Sequence, residues 1–197
     1  MGRKNAKEKI LQAALEIFSS KSFEGSRIEE IARAANVPKS LIYYHFKSKE
    51  DILETLTANF IQAYMKIIQS ATHESHQEKG ENIVNRMESS YYAFGQENAD
   101  LVRVMLIDSL KKTKEKPVLF KVLDAMIAKE YEDKSVSRDL LDERRIVEFF
   151  TSFIPNYAYI CFAEAWTKYF EIDRKKFDTL YLKAYEATHG AYHKQHQ

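Results

Sequence analysis

An all-α fold is the class this 197-residue chain predicts, and three observations carry the prediction. Gly and Pro are scarce: 5 and 3 residues, about 4% together against a usual share of roughly 12%, so tight reversals are few. Apolar residues recur at spacings of three and four through most of the chain, and no stretch alternates with the period of two that strands show. Helix-start signals stand immediately before several of these runs.

The first helix is predicted from about Lys7 to Ser20, with Ile10, Leu11, Ala14, Leu15, Ile17 and Phe18 on one face. Glu24-Gly25 breaks it. Ser26 and Glu29 have the S-x-x-E spacing of a capping box, so a second helix is expected from Ser26, turning Ile28, Ile31, Ala32 and Ala35 inward. Asn36 sits where that helix must end, and Asn tolerates the left-handed conformation better than other non-Gly residues. Pro38 stands at the edge of a short third helix, Lys39 to Phe46, where its missing N–H costs little. Ser48 and Asp51 form another cap and open a long fourth helix through Leu53, Leu56, Phe60, Tyr64 and Ile67.

Further on, HESHQEKGE (73–81) reads as a polar connector. Helices are expected over Ile83–Phe94, Asp100–Lys111 and Val118–Glu130, with a turn at KKTKEKP (111–117) and a polar loop at EDKSVSRD (132–139). A long apolar helix from about Asp142 to Phe170 contains Pro155, which should kink or split it. A last helix spans about Arg174 to Ala187.

The formal net charge of +1 is unevenly spread. Residues 1–50 carry 10 basic and 6 acidic side chains, and residues 51–197 carry 20 and 23. A basic N-terminal segment on a mildly acidic body suits a head that binds a polyanion. The single cysteine, Cys161, excludes an intramolecular disulfide or a multi-Cys zinc site within the chain. It lies in an apolar run, as a small core residue does. The N-terminus lacks the apolar stretch of a signal peptide, and no run of about 18–20 apolar residues suggests a membrane span. The expectation is a cytoplasmic protein that does not engage the membrane.

Within the first fifty residues, three helices with a tight turn between the second and third have the layout of a helix-turn-helix. The segment after the turn, KSLIYYHF, carries donors suited to double-stranded DNA. Lys39, Ser40, Tyr43, Tyr44 and His45 offer an ammonium, hydroxyls and an imidazole for phosphates or base edges. Leu41, Ile42 and Phe46 suit the core. Tyr44 is balanced between core edge and phosphate contact. Lys47 and Lys49 flank the unit, Arg27 adds a cation, and Arg3, Lys4, Lys7 and Lys9 could form a basic arm.

SRIEEIARAANVPKSLIYYHFKSKEDIL (26–53) resembles the DNA-binding signature of the TetR family of bacterial transcriptional regulators. IARAANV, LIYYHF and the following Lys-Ser-Lys-Glu carry the likeness, together with Phe18 and the Phe23-Glu24-Gly25 turn. The resemblance covers about residues 7–64 and implies an all-α homodimer. It implies a DNA-binding head (1–48) and a body (49–197) that binds an effector and dimerises through its last two helices. It also implies a repressor released from its operator by a ligand, with Lys39 and Ser40 opening the recognition helix and Lys49 binding a phosphate. Asn36, Pro38 and Ser40 depart from the family's usual Gly, Ser/Thr/Asp and Gly, which bears on operator sequence. A DNA-binding activator or architectural protein without an effector is the alternative.

The body is rich in aromatics and methionines. Most must pack the core, and a minority are expected to line a pocket between helices: Tyr64, Met87, Tyr91, Met105, Phe120, Phe149, Phe153 and Tyr157. Such a lining suits a small apolar or aromatic effector. Glu88, Asp108, Glu148 and Glu164 lie near these residues in sequence and are expected to face solvent or form salt bridges. No catalytic constellation, cofactor or metal site is read; His73 and His76 lack the H-E-x-x-H spacing, and His189, His193 and His196 could share a metal but fall in a terminus expected to be mobile, so incidental metal affinity is the limit.

Overall fold

The computed structural model describes residues 5–74, 93–111, 116–132 and 135–195. The expected helix at Ile83–Phe94, with Met87, Glu88 and Tyr91, lies almost wholly outside them, as does Lys4. Among the described residues every regular element is helical. In chain order these are α1 (Ala6–Lys21), α2 (Ile28–Ala35), α3 (Lys39–His45), α4 (Lys49–Glu74), α5 (Ala99–Lys111), α6 (Val118–Glu130), α7 (Arg138–Val147), α8 (Ile154–Tyr169), α9 (Arg174–Tyr185) and α10 (Ala191–Gln195). Two wider π-helical turns, Glu148–Phe153 and Glu186–Gly190, join α7 to α8 and α9 to α10.

Two compact units emerge. The first comprises residues 1–63 and 100–119. Asn5 opens α1 with a reciprocal cap: its side chain accepts from the Glu8 N–H at 2.8 Å, and its own N–H donates to the Glu8 carboxylate at 3.2 Å. Ile10, Ala14, Phe18, Ile31, Ile42, Phe46 and Ile52 make the core, with Phe18 and Phe23 edge to face at 5.2 Å. Gly25 is obligatory in the turn after α1, since a Cβ there would lie 2.4 Å from the Lys21 carbonyl oxygen. Within the same unit, Ser19 bonds Asp100 at 3.0 Å and Lys111 pairs with Glu24 at 2.8 Å, fastening α5 to α1 and its turn.

The Ser26–Glu29 capping box does not form. The Ser26 hydroxyl donates to the Phe23 carbonyl at 2.6 Å and is buried closing the turn. The cap moves one residue on: the Arg27 N–H donates to Glu30 at 3.0 Å, and α2 begins at Ile28. The second predicted cap does form, with the Asp51 N–H on the Ser48 hydroxyl at 3.2 Å and the Lys47 N–H on the Asp51 carboxylate at 2.8 Å.

The second unit comprises residues 64–99 and 120–197. Gly95 lets a helical turn approach α8, where a Cβ would come within 2.5 Å of the Ile160 side chain. The helix containing Pro155 starts at Arg138, four residues before its expected start, with Ser137 capping the Leu140 N–H. It is not split at the proline. Pro155 has no N–H for the preceding turn, and the turn widens instead, with the Ile154 N–H reaching back five residues to the Phe149 carbonyl. An aromatic seam joins α8 to α9. Tyr159 and Tyr181 have ring centroids 4.5 Å apart, Tyr181 donates to Asn156 at 2.9 Å, and the Tyr159 hydroxyl lies between Asp178 (2.5 Å) and Arg174 (2.6 Å). Burial, followed by the bond to Asp178, pushes the Tyr159 phenol up to about 12.

The run Arg138–Tyr169 is long and apolar enough, by length and composition, to cross a membrane, and 22% of its most apolar window is buried. This differs from the sequence expectation of no such run. The chain past Tyr185 is also not a loose terminus, being helical through Gln195.

The turn at Asn36 yields a direct stability prediction. Asn36→Val should lower unfolding free energy by about 1–2 kcal/mol in urea titration, because a β-branched residue is forced left-handed. Asn36→Gly should leave it within about half a kcal/mol. Equal losses for both would contradict the backbone reading.

Candidate nucleic-acid interface

The helix-turn-helix is built around Asn36, which has φ 53° and ψ 49°. That conformation lets the Val37 N–H reach the Ala32 carbonyl at 3.0 Å and the Asn36 N–H reach Arg33 at 3.1 Å, closing α2 with its carbonyls satisfied. Pro38 caps α3 from outside in extended geometry. The Leu41 N–H bonds the Pro38 carbonyl at 2.9 Å, and the Phe46 N–H ends the helix on Ile42 at 2.8 Å.

This short helix divides sharply by face. Ile42 and Phe46 are buried, whereas Tyr43 is 51% and Tyr44 81% exposed. Lys39 and Ser40 are exposed beside them, and half-buried His45 stands edge to face with Tyr44 at 5.0 Å. Of the two possibilities for Tyr44, the outward one is realised. Two aromatic hydroxyls, a serine hydroxyl and an ammonium thus occupy the solvent side of one two-turn helix, a set that can donate to phosphates and base edges.

The surrounding cations differ in how free they are. Lys39 is bonded to the Glu29 carboxylate, and its Nζ stands 5.6 Å from the Tyr43 ring centroid. The hydrogen bond to Glu29 raises the Lys39 ammonium above its ordinary range and lowers Glu29. Glu29, expected as the cap partner of Ser26, is therefore a counter-charge at the head of α3, which a phosphate would have to replace. The Ser26 spacing masked that role. Arg27 and Lys47 are exposed. Lys49 turns inward: its ammonium donates to the Phe23 carbonyl at 2.6 Å and the Ser26 carbonyl at 3.1 Å, and lies 4.5 Å from the Phe23 ring centroid. It ties the start of α4 to the turn before α2.

The expected pocket residues fall into separate groups. Phe153 and Tyr157 are buried with rings 5.4 Å apart. Phe120, half exposed, meets Phe149 edge to face at 5.3 Å. Tyr64 lies 6.1 Å from Phe94. Met105 is fully buried and belongs to the first unit. The Tyr157 hydroxyl is buried with no hydrogen-bond partner among the described residues, and desolvation raises its pKa strongly. Of the four acids, Glu148 is salt-bridged to Arg144 at 3.0 Å, Asp108 is buried, and Glu164 is exposed.

Residues 10–56, spanning α1 to the first turns of α4, match the family described as "Bacterial regulatory proteins, tetR family". Over these residues the chain is similar to the TetR family. A Bacillus subtilis (strain 168) protein named "Probable HTH-type transcriptional regulator YttP" is 36% identical over 67 residues, which is 34% of this chain and 32% of that protein. The likeness to that relative therefore spans about a third of its length, while likeness of fold spans nearly all of this chain. A TetR-like transcriptional regulator from Rhodococcus sp. RHA1 superposes with a TM-score of 0.59 over 95% of this chain and 97% of that one, at 14% identity. Thermus thermophilus FadR, a TetR-family transcriptional repressor solved with lauroyl-CoA, gives 0.52 over 91% and 92%, at 15% identity.

The contrast between neighbouring lysines is testable. Lys49→Ala should lower unfolding free energy by about 1–3 kcal/mol, because two carbonyls lose their donor. Lys47→Ala should leave stability within about half a kcal/mol and weaken binding to duplexes of any sequence alike. A stable Lys49→Ala protein would remove the tie assigned to that side chain.

Proposed function

We propose that the chain is a homodimeric transcriptional repressor. It binds a pseudo-palindromic operator through residues 1–48 and is released by a small apolar or aromatic effector bound within residues 49–197. It works in the cytoplasm, without catalysis and without a cofactor. The observation that carries the DNA reading is the outward set on α3, Lys39, Ser40, Tyr43 and Tyr44, held by the buried Ile42 and Phe46. A helix so placed after a tight turn suits the major groove, with two copies set one helical turn of DNA apart, or a multiple of it. Arg27, His45 and Lys47 fit phosphate or groove contacts around it, and Lys4, outside the described residues, is proposed as a further phosphate contact. Lys49 can contribute a phosphate contact only by giving up its carbonyl partners.

Dimerisation is supported by apolar side chains left open on the last long helices. Phe162, Trp166, Tyr169 and Phe170 are about half or more exposed around α8, and Leu180 lies exposed on α9. Such a surface is larger than scattered exposure accounts for and suits a self-complementary interface. It also accounts for a span-like helix that is mostly unburied within one chain.

An effector site is supported by the lone buried hydroxyl of Tyr157 beside Phe153. An unbonded buried polar atom is costly, and a ligand's polar group would satisfy it in an otherwise apolar lining. FadR's complex with lauroyl-CoA shows that one protein of this fold holds an apolar chain. Effector and operator oppose each other by preferring different conformations, and the coupling is reciprocal. The continuous helix α4 passes from the first unit into the second at residues 63–64 and is the covalent path available to that coupling.

The test begins with selecting bound duplexes from a genomic fragment library. Tyr43→Ala and Tyr44→Ala should each weaken the selected operator by roughly 10- to 150-fold, as loss of a hydrogen bond to a charged group does, with unfolding unchanged. Undiminished affinity in both variants would overturn the interface. Trp166→Glu should shift the sedimenting species from dimer to monomer; a dimer that persists would place the interface elsewhere. Lauroyl-CoA serves as a probe of the acyl class and should weaken operator binding by about 5- to 150-fold. Unchanged operator affinity at full occupancy, or no binding, would reject that class.

A further inference from the structure

The second unit brings together three metal-ligating side chains that lie far apart in sequence. Glu148 opens the first π-helical turn, His189 lies inside the second, and His193 follows one turn later on the same face. Their donor atoms all lie within 4.8 Å of one another, and the two imidazole centroids are 4.5 Å apart. The Glu148 and His189 side chains keep only 13% and 12% of their surface, while His193 keeps 31% and opens the cluster to solvent. π-helical turns interrupt the normal ladder and recur at functional sites.

The hydrogen bonds around Thr151 fit a His189 that carries its proton on Nδ1. The Thr151 hydroxyl donates its single hydrogen to the Val147 carbonyl at 2.7 Å. Its 2.9 Å contact with His189 Nδ1 must then be accepted from Nδ1–H. His189 Nε2 is left with a lone pair, and 3.8 Å away stands Glu148 Oε2, also an acceptor. Two acceptors facing each other in a protected space can be bridged by a cation.

We propose that Glu148, His189 and His193 bind one divalent ion of the zinc class, with Thr151 orienting His189 as its outer-shell partner. Two imidazoles and one carboxylate suit Zn²⁺, Co²⁺ or Ni²⁺ rather than the all-oxygen cations or thiolate-seeking Cu⁺. Bonds of about 2.0–2.2 Å require only a modest closing of the present separations, with water in a fourth position. Arg144 sets the limit on affinity. Its guanidinium lies 3.0 Å from Glu148 Oε1 and 3.3 Å from both His193 nitrogens, leaving Oε2 for the ion while adding a like charge beside it. The site joins the segment before α8 to the end of the last helix, so the ion would clamp the two helical arms that carry the exposed aromatic surface.

The test uses untagged full-length protein, with zinc competition against a chromophoric chelator and Co²⁺ absorption as readouts. One ion per chain is expected, with tetrahedral Co²⁺ bands in the visible. His189→Gln and Glu148→Gln should weaken binding at least about 100-fold, Thr151→Val about 10- to 100-fold, and Arg144→Gln should tighten it. His73→Gln/His76→Gln/His196→Gln should retain the site. If the buried-ligand variants fail to fold, His193→Gln decides, since its ring is the most exposed of the three. Absence of stoichiometric zinc binding, or zinc held equally well by His193→Gln and Thr151→Val, would overturn the proposal.

Discussion

The left-handed backbone at Asn36 is the constraint on which the functional face depends. It ends α2 with its carbonyls bonded and points the chain so that Pro38 can cap a new helix two residues later. Once α3 starts there, its register is fixed by burial of Ile42 and Phe46. Tyr43 and Tyr44, lying between those anchors, can only face out. An outward aromatic pair is normally a cost to solubility, and it is tolerated here by the hydroxyls at its rim. The outward face of α3 is thus a by-product of where the core anchors fall.

Charge in the first fifty residues does more than set their net sign. Glu29 holds Lys39, Glu30 holds Lys21, and backbone carbonyls hold Lys49. The net positive charge of the first fifty residues counts all of these equally, yet their readiness to meet a phosphate differs. An exposed ion pair is worth little and exchanges readily for a phosphate. A lysine that closes two carbonyls and covers a phenyl ring is part of the fold.

The fold class, the Asn36 turn, the Ser48–Asp51 cap and most helix boundaries were legible in the sequence, because each rests on interactions within four residues. The start of α2 was misplaced because Ser26–Glu29 and Arg27–Glu30 offer adjacent registers of one spacing. The deciding contact, Ser26 to Phe23, belongs to the preceding turn. Pro155 signalled an interruption but not its form, since a widened turn and a split helix remove the same hydrogen bond. Glu148, His189 and His193 could not be grouped from sequence, because 41 residues separate the first two and neither π-helical turn has a local signature. The face of α3 was readable as donors, while the inward turn of Lys49 needed the turn it reaches across.

In the proposed function the outward face of α3 enters the major groove as one of a pair. Dimethyl sulfate protection of guanine N7 on the selected operator reads this out, because N7 lies on the major-groove edge. Two protected patches are expected, with centres about 10–10.5 base pairs apart or a multiple of that spacing. Unprotected N7 positions throughout the bound site, or a single protected patch, would contradict it.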